Sequence, residues 1–322
     1  MNFNNTLSCL VRFFVSISAF TFGSLAEAKI KVVTTIPELA YAASAIGGDL
    51  VEARSLLRGT ENPHFVDAVP EFTRLTAEAD IVCVVGLDLE IGYMPAVLSR
   101  SGNAKVQPGG NGYCEAGKGV KVLDKPTGRI DRSMGDVHPS GNPHFFLSPK
   151  ALADSASEIA ATLVRTDPTH APAYQKGLAD FRNAMAELDK EVEQLLAPLK
   201  KLQMEQSGRA VVLEYHREFA YFLADHSLSS FGSIEEKPGV PPSAGRLAEV
   251  AIAAKNNGVR VVLAADYFPK KTLDRFEELS GIGVAIVPTM MQQGTKLQNY
   301  ADLQRHIARS LISAASKPVQ GH

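Results

Sequence analysis

The sequence predicts an α/β protein of two lobes, each a mainly parallel sheet flanked by helices, joined by one long spine helix. Three observations carry that expectation. Short β-branched runs alternate with amphipathic segments in the first part of the chain and again in the last, the pattern of strand–helix–strand units. Between them Tyr174, Leu178, Phe181, Met185, Leu188, Val192, Leu195, Leu199 and Leu202 recur in steps of four and three, which draws one apolar stripe along a helix. At 322 residues the chain also exceeds the common size of one domain, so each lobe is expected to have its own core.

Residues 1–28 read as a signal peptide. Arg12 precedes the apolar run "FFVSISAFTFG", and the small residues Ala26 and Ala28 mark a cleavage site before Lys29. The run is shorter than the roughly 20 residues of a spanning helix, so the expectation is a soluble, periplasmic protein. The organisation that follows is an N-terminal lobe over 29–166, the spine over 167–206 and a C-terminal lobe over 207–322.

In the first lobe "KIKVVTT" is a strand, "IPELAYAASAIGGD" a helix closed by Gly-Gly, and "VEARSLL" a strand running into the turn "GTENPH". "VPEFTRLTAEA" is helical, "DIVCVVG" a buried strand and "LEIGYMPAVLSRSG" a helix. Residues 109–142, rich in Gly, Asp, Ser and Pro, read as a long surface loop. Ser148 and Pro149 then open a helix as cap and first-turn residue. At 1.5 Å per residue the spine stripe covers about 40 Å, and Pro198 is expected to kink it. The second lobe reads as strand "RAVVLEY", helices "REFAYFLADHS" and "LAEVAIAAKNNG", strand "VRVVLAAD", helix "KKTLDRFEELSG", strand "VAIVP" and a last helix from Tyr300.

A formal charge of -2, unchanged by loss of Arg12 and Glu27 with the leader, argues against a nucleic-acid partner, which normally shows a basic patch. Aromatics at 7% with no Trp offer little for base or sugar stacking. Of the cysteines beyond the leader, Cys83 lies in a strand and Cys114 in a Gly-rich loop. An oxidising compartment permits a disulfide between them, and burial of Cys83 as a small hydrophobe is an equally good reading.

The histidines carry the chemistry. His64 and His216 each follow a strand and so project at carboxyl ends, where open α/β sheets bind ligands. His144 precedes the Ser148-capped helix, and the string Asn-Pro-His-Phe occurs at both His64 and His144. Three imidazoles at element ends point to joint ligation of a transition metal, Zn²⁺ first and Mn²⁺ second. His138, in the loop ahead of His144, competes for a place among them. His170 and His306 read as surface residues, His226 as a helix-capping residue and His322 as terminal.

"GTENPHF", "GDVHPSGNPHFFLSP", the long spine and "EYHREFAYFL", in that order, resemble the metal-binding solute receptors of ABC importers, the zinc and manganese periplasmic family. The resemblance covers nearly the whole chain beyond the leader. It implies metal ligands at His64, His144 and His216, with an imidazole in third place as in the zinc branch, an inner-membrane ABC permease as partner, and a monomer with no enzymatic activity. One departure follows from "TMMQQGT", where many members carry an Asp and this chain has no carboxylate. Asp266, at the end of "VRVVLAAD", is the substitute fourth ligand, with His138 or water as the other choices. The loop that is His-rich in many zinc receptors holds only His138 here.

The competing reading is a zinc hydrolase on the same three histidines, with Glu61 or Asp266 activating a water. The chain has no HExxH and no nucleophile elbow. A receptor for a metal chelate would need an aromatic pocket, and Tyr93, Tyr113 and Tyr267 are scattered.

Overall fold

A computed structural model describes residues 28–128 and 134–317; the signal-peptide assignment therefore falls almost wholly outside the described residues. The first lobe runs β1 (Ile30–Thr34), α1 (Pro37–Gly47), β2 (Val51–Ser55), α2 (Pro70–Glu78), β3 (Ile81–Val84), α3 (Met94–Ser101) and β4 (Tyr113–Glu115). Its strands lie in the order β2-β1-β3-β4, all parallel. All four residues of β3 are buried, as expected of a parallel strand covered on both faces. β4 differs from the loop that the sequence predicts over residues 109–142, because three residues inside a Gly-rich stretch carry no periodicity. Its register sets Cys114 opposite Cys83, and the two are joined in a disulfide.

The second lobe repeats the plan with β5 (Val211–Glu214), β6 (Ser229–Ser233), β7 (Val261–Ala265) and β8 (Gly283–Val287), ordered β6-β5-β7-β8 and all parallel. Its helices are α6 (Ala220–Asp225), α7 (Ala244–Asn256), α8 (Lys270–Ser280) and α9 (Tyr300–Ala315). β6 also escaped the sequence reading. Its segment "SSFGS" is a half-exposed edge with a single large apolar residue, too polar to stand out as a strand.

Between the lobes come α4 (Pro149–Thr166), where the Ser148 hydroxyl caps Ala151 N, and the spine α5 (Ala171–Ser207), which continues through Pro198. The buried stripe follows the expected residues from Tyr174 to Val192 and then moves to Leu196, Leu199 and Gln203. A 3.5-residue pattern drifts about 20° per heptad against a straight helix, so in the last turns Leu196 and Gln203 take the inward places expected of Leu195 and Leu202, while Leu199 keeps its own.

The expectation of a separate core in each lobe needs correction. The largest apolar cluster is continuous from β1 and α1 (Val32, Ile46) through α4 and α5 (Leu163, Val192) to β7 and α9 (Leu263, Ile307). Smaller clusters belong to single lobes, around Tyr93 and Val97 in the first and Leu247 and Phe276 in the second. The cause is the spine: α1 and α4 of the first lobe and α9 of the second all pack on it, so one helix joins the helical layers of both lobes. Across the lobes Tyr41 stacks on Tyr300, whose hydroxyl donates to Phe146 O, and Gln304 Nε2 donates to Leu147 O.

Candidate metal centre

The repeated Asn-Pro-His-Phe string makes the same turn twice. Asn62 Oδ1 accepts His64 N and Asn142 Oδ1 accepts His144 N, each at 3.0 Å. A short Asn side chain that bonds the backbone two residues on is a built-in turn, and the proline between presets φ. The first turn follows β2; the second leads through a 3-10 turn (His144–Leu147) into α4. His216 comes from the other lobe, two residues beyond the end of β5.

One ring nitrogen from each of His64, His144 and His216 lies within 4.8 Å of the others, and His64 Nε2 is 2.9 Å from His144 Nε2. Tetrahedral ligands at zinc distances stand roughly 3.3 Å apart, so the three converge on the volume of one ion. Every Nδ1 is held from behind. His64 Nδ1 is 2.8 Å from Asp136 Oδ2, His216 Nδ1 is 2.8 Å from Glu235 Oε2, and His144 Nδ1 is 2.9 Å from Asn142 Oδ1. These partners only accept, so each Nδ1 carries the proton and each Nε2 presents its lone pair inward, the arrangement that orients and strengthens imidazole ligands.

The electrostatics agree with neutral ligands. Burial pushes His144 well below the usual imidazole range, and the neighbouring imidazoles add to the effect. His64 is also lowered by burial, against the hydrogen bond that its Nδ1 donates to Asp136. His216 is the exception: burial lowers it, but the Glu235 hydrogen bond and the field of Glu218 outweigh burial and leave it raised. Asp136 and Glu235 together supply two negative charges behind the imidazoles, which offset those of a divalent cation.

A strap over residues 134–142 crosses the site. Asp136 N donates to Pro238 O of the second lobe at 2.8 Å, and Gly239 N donates to Glu235 Oε2 at 3.0 Å. The strap carries His138, whose ring centroid lies 5.0 Å from that of His64. His138, Asp136 and His64 form a second group with ligand atoms in reach of one another. Burial drives the His138 pKa down to about 4, and its Nε2 is buried with no hydrogen-bond partner among the described residues. A buried ring nitrogen without a partner is uncommon and calls for a physical reason, and three imidazole lone pairs converge close by.

Asp266 does not join this cluster. It stands directly after β7, but Oδ2 accepts from Gln292 Nε2 at 2.9 Å, and among the described residues it belongs to no group with ligand spacing. Gln292 lies in "TMMQQGT", so the loop lacking the expected carboxylate also holds its proposed substitute away. Glu61 is equally occupied: its carboxylate accepts the backbone N–H groups of Arg58, Gly59 and Thr60 in its own turn. Neither acid is placed to activate a water. His170 bonds Asp167 and His306 lies on α9. His226 is the last-turn cap of α6, but its ring is fully buried and faces Asp189 and Glu193 of the spine. His322 lies outside the described residues. The sequence reading found the three converging histidines and missed the groups behind them. Asp136 had a signal, two residues before His138 in "GDVHP"; Glu235 in "SIEEKPG" had none.

Residues 32–314 match the family model described as the periplasmic component A of the zinc-uptake complex, ZnuA. The chain belongs to that family. It is 24% identical over 297 residues to the manganese ABC transporter substrate-binding lipoprotein PsaA of Streptococcus pneumoniae, covering 90% of each chain. Among solved structures it resembles a crystal structure of ZnuA, with a TM-score of 0.72, 24% identity and coverage of 90% of this chain and 100% of that one. It also resembles FpvC of Pseudomonas aeruginosa in complex with Mn²⁺, with a TM-score of 0.73, 21% identity and coverage of 89% and 99%. This ZnuA-family chain is thus a periplasmic-type, metal-binding solute receptor of an ABC transporter, with a cognate permease as partner, and not an enzyme. Among the described residues no helix is long and apolar enough to cross a membrane.

Proposed function

We propose that the receptor's cargo is Zn²⁺, held by His64, His144 and His216 with His138 as the fourth ligand in place of Asp266, and passed as a monomer to an inner-membrane permease. The observation that carries this reading is the donor set: ring nitrogens of His64, His144 and His216 within 4.8 Å of one another, with His138 in reach of His64. Imidazole suits zinc, whereas manganese favours oxygen donors. Mn²⁺ is the second reading because several relatives are named as manganese receptors.

Protein stripped with chelator and titrated with each metal in turn is expected to take one Zn²⁺ per chain, with Mn²⁺ binding more weakly. A stoichiometry near zero, or tighter Mn²⁺, defeats the assignment. Because the core is continuous without the ion, metal-free protein should melt cooperatively. Zinc at a thousandfold above its dissociation constant should add about 4 kcal/mol, a rise in melting temperature of very roughly 10 °C for a chain of this size.

A further inference from the structure

Directly after β3 the chain takes three successive residues through the left-handed region: Gly86 at φ 80°, Leu87 at 53° and Asp88 at 67°. Glycine does this freely, whereas a side chain at Leu87 or Asp88 makes the same backbone unfavourable. Strain of this kind persists only where the surroundings enforce it. Here the Glu90 carboxylate accepts Val85 N at 2.7 Å, Gly86 N at 3.0 Å and the Thr35 hydroxyl at 2.6 Å, which clamps the start of the turn. The turn delivers the Asp88 carboxylate beneath the strap, where Oδ2 accepts Ser140 N at 3.0 Å.

Ser140 is two residues past His138, and Gly141 N closes the same turn by donating to His138 O at 3.1 Å. The strap therefore has one anchor on each side of His138: Asp136 N on Pro238 O, and Ser140 N on Asp88. The field of Asp88 also reaches the His138 ring.

We propose that Asp88 is a positioning residue for cargo binding, pinning the strap at Ser140 so that His138 Nε2 stays turned toward the ion. This rests on the metal-receptor reading and adds a residue from outside the imidazole cluster. Asp88→Gly removes the carboxylate without backbone strain, since glycine adopts this φ freely. Asp88→Asn keeps an oxygen acceptor.

The test follows Zn²⁺ release to a chromophoric chelator in wild type, in both Asp88 variants, in His138→Ala and in the Asp88→Gly/His138→Ala double variant. Hydrogen exchange of the Ser140 amide is read on the metal-free proteins. Asp88→Gly is expected to speed release about tenfold, the lower end for losing a partner behind a ligand, and to speed Ser140 exchange. Asp88→Asn should restore both. In the His138→Ala background Asp88→Gly should change release less than twofold. Wild-type release and exchange in Asp88→Gly, or the same tenfold effect with and without His138, overturns the proposal. Failure of the wild type to take up Zn²⁺ instead removes the zinc assignment on which it rests.

Discussion

The two Asn-Pro-His-Phe turns begin alike and end differently. Both asparagines hold the histidine backbone at 3.0 Å. At the second turn Asn142 also holds the Nδ1 of its own histidine, donates through Nδ2 to Arg217 O beside His216, and offers its carbonyl to the Tyr221 hydroxyl. At the first turn Asn62 makes only the backbone bond among the described residues, and Asp136 of the strap orients the ring. The phenylalanines part company as well: Phe145 is 0% exposed and Phe65 is 68% exposed. Four residues of sequence determine a local turn; what the turn is docked against determines everything beyond it.

The sharpest break should come from the phenylalanines. Phe145→Ala removes a ring from the continuous core and is expected to cost about 3–5 kcal/mol. Phe65→Ala should stay within roughly 0.5 kcal/mol of wild type. Chemical denaturation of the two variants compares them directly, and equal losses would mean that the first turn is packed like the second. Among the ligands, His144→Ala should weaken zinc beyond the roughly 100-fold ceiling of partners behind a ligand, and further than His138→Ala, because His144 is fixed by Asn142 and a capped helix. Chelator competition that ranks the two equally would contradict this.

Removing the asparagines refines the comparison. Asn142→Ala loses both turn and ring support and is expected to weaken zinc binding 10- to 100-fold. Asn62→Ala loses one backbone bond of about 1 kcal/mol, and zinc should weaken about fivefold. Asp136→Ala should supply the missing part of the effect at the first turn. An Asn62→Ala loss as large as that of Asn142→Ala would show that the backbone bond dominates.

The smallest effect is on pH. An unfolded imidazole takes its proton near pH 6.5, while folded His64, His138 and His144 resist it to lower pH. The unfolded state then binds more protons, so these three lose stability as pH falls from about 6.5 toward about 4, the value of His138. His216 has the opposite sign: its contribution is full below 6.5 and is lost as pH rises through its raised value. The metal-free melting temperature should therefore fall on acidification through that window. His216→Ala should remove the opposing gain on acidification above pH 6.5, and a profile unchanged there would remove its assigned role.

Much of this was legible in the sequence. Periodicity exposed the spine, both runs of strand and helix and the Ser148 cap, because each depends on neighbours a few residues away. The edges β4 and β6 were missed because three and five polar or Gly-flanked residues bury too little to leave a pattern. The three converging histidines announced themselves by position at element ends. Asp136 and Glu235 act through contacts 72 and 19 residues away along the chain, to His64 and His216, which no local spacing encodes.

The Cys83–Cys114 bond fixes an edge strand of three residues to the buried strand beside it. Closing a loop with a sequence separation of 31 removes unfolded-chain entropy worth roughly 3–4 kcal/mol. A reducing compartment withholds that contribution and an oxidising one supplies it. The first sheet is thus less secure while the thiols are reduced and acquires its full hold on β4 only once they are oxidised.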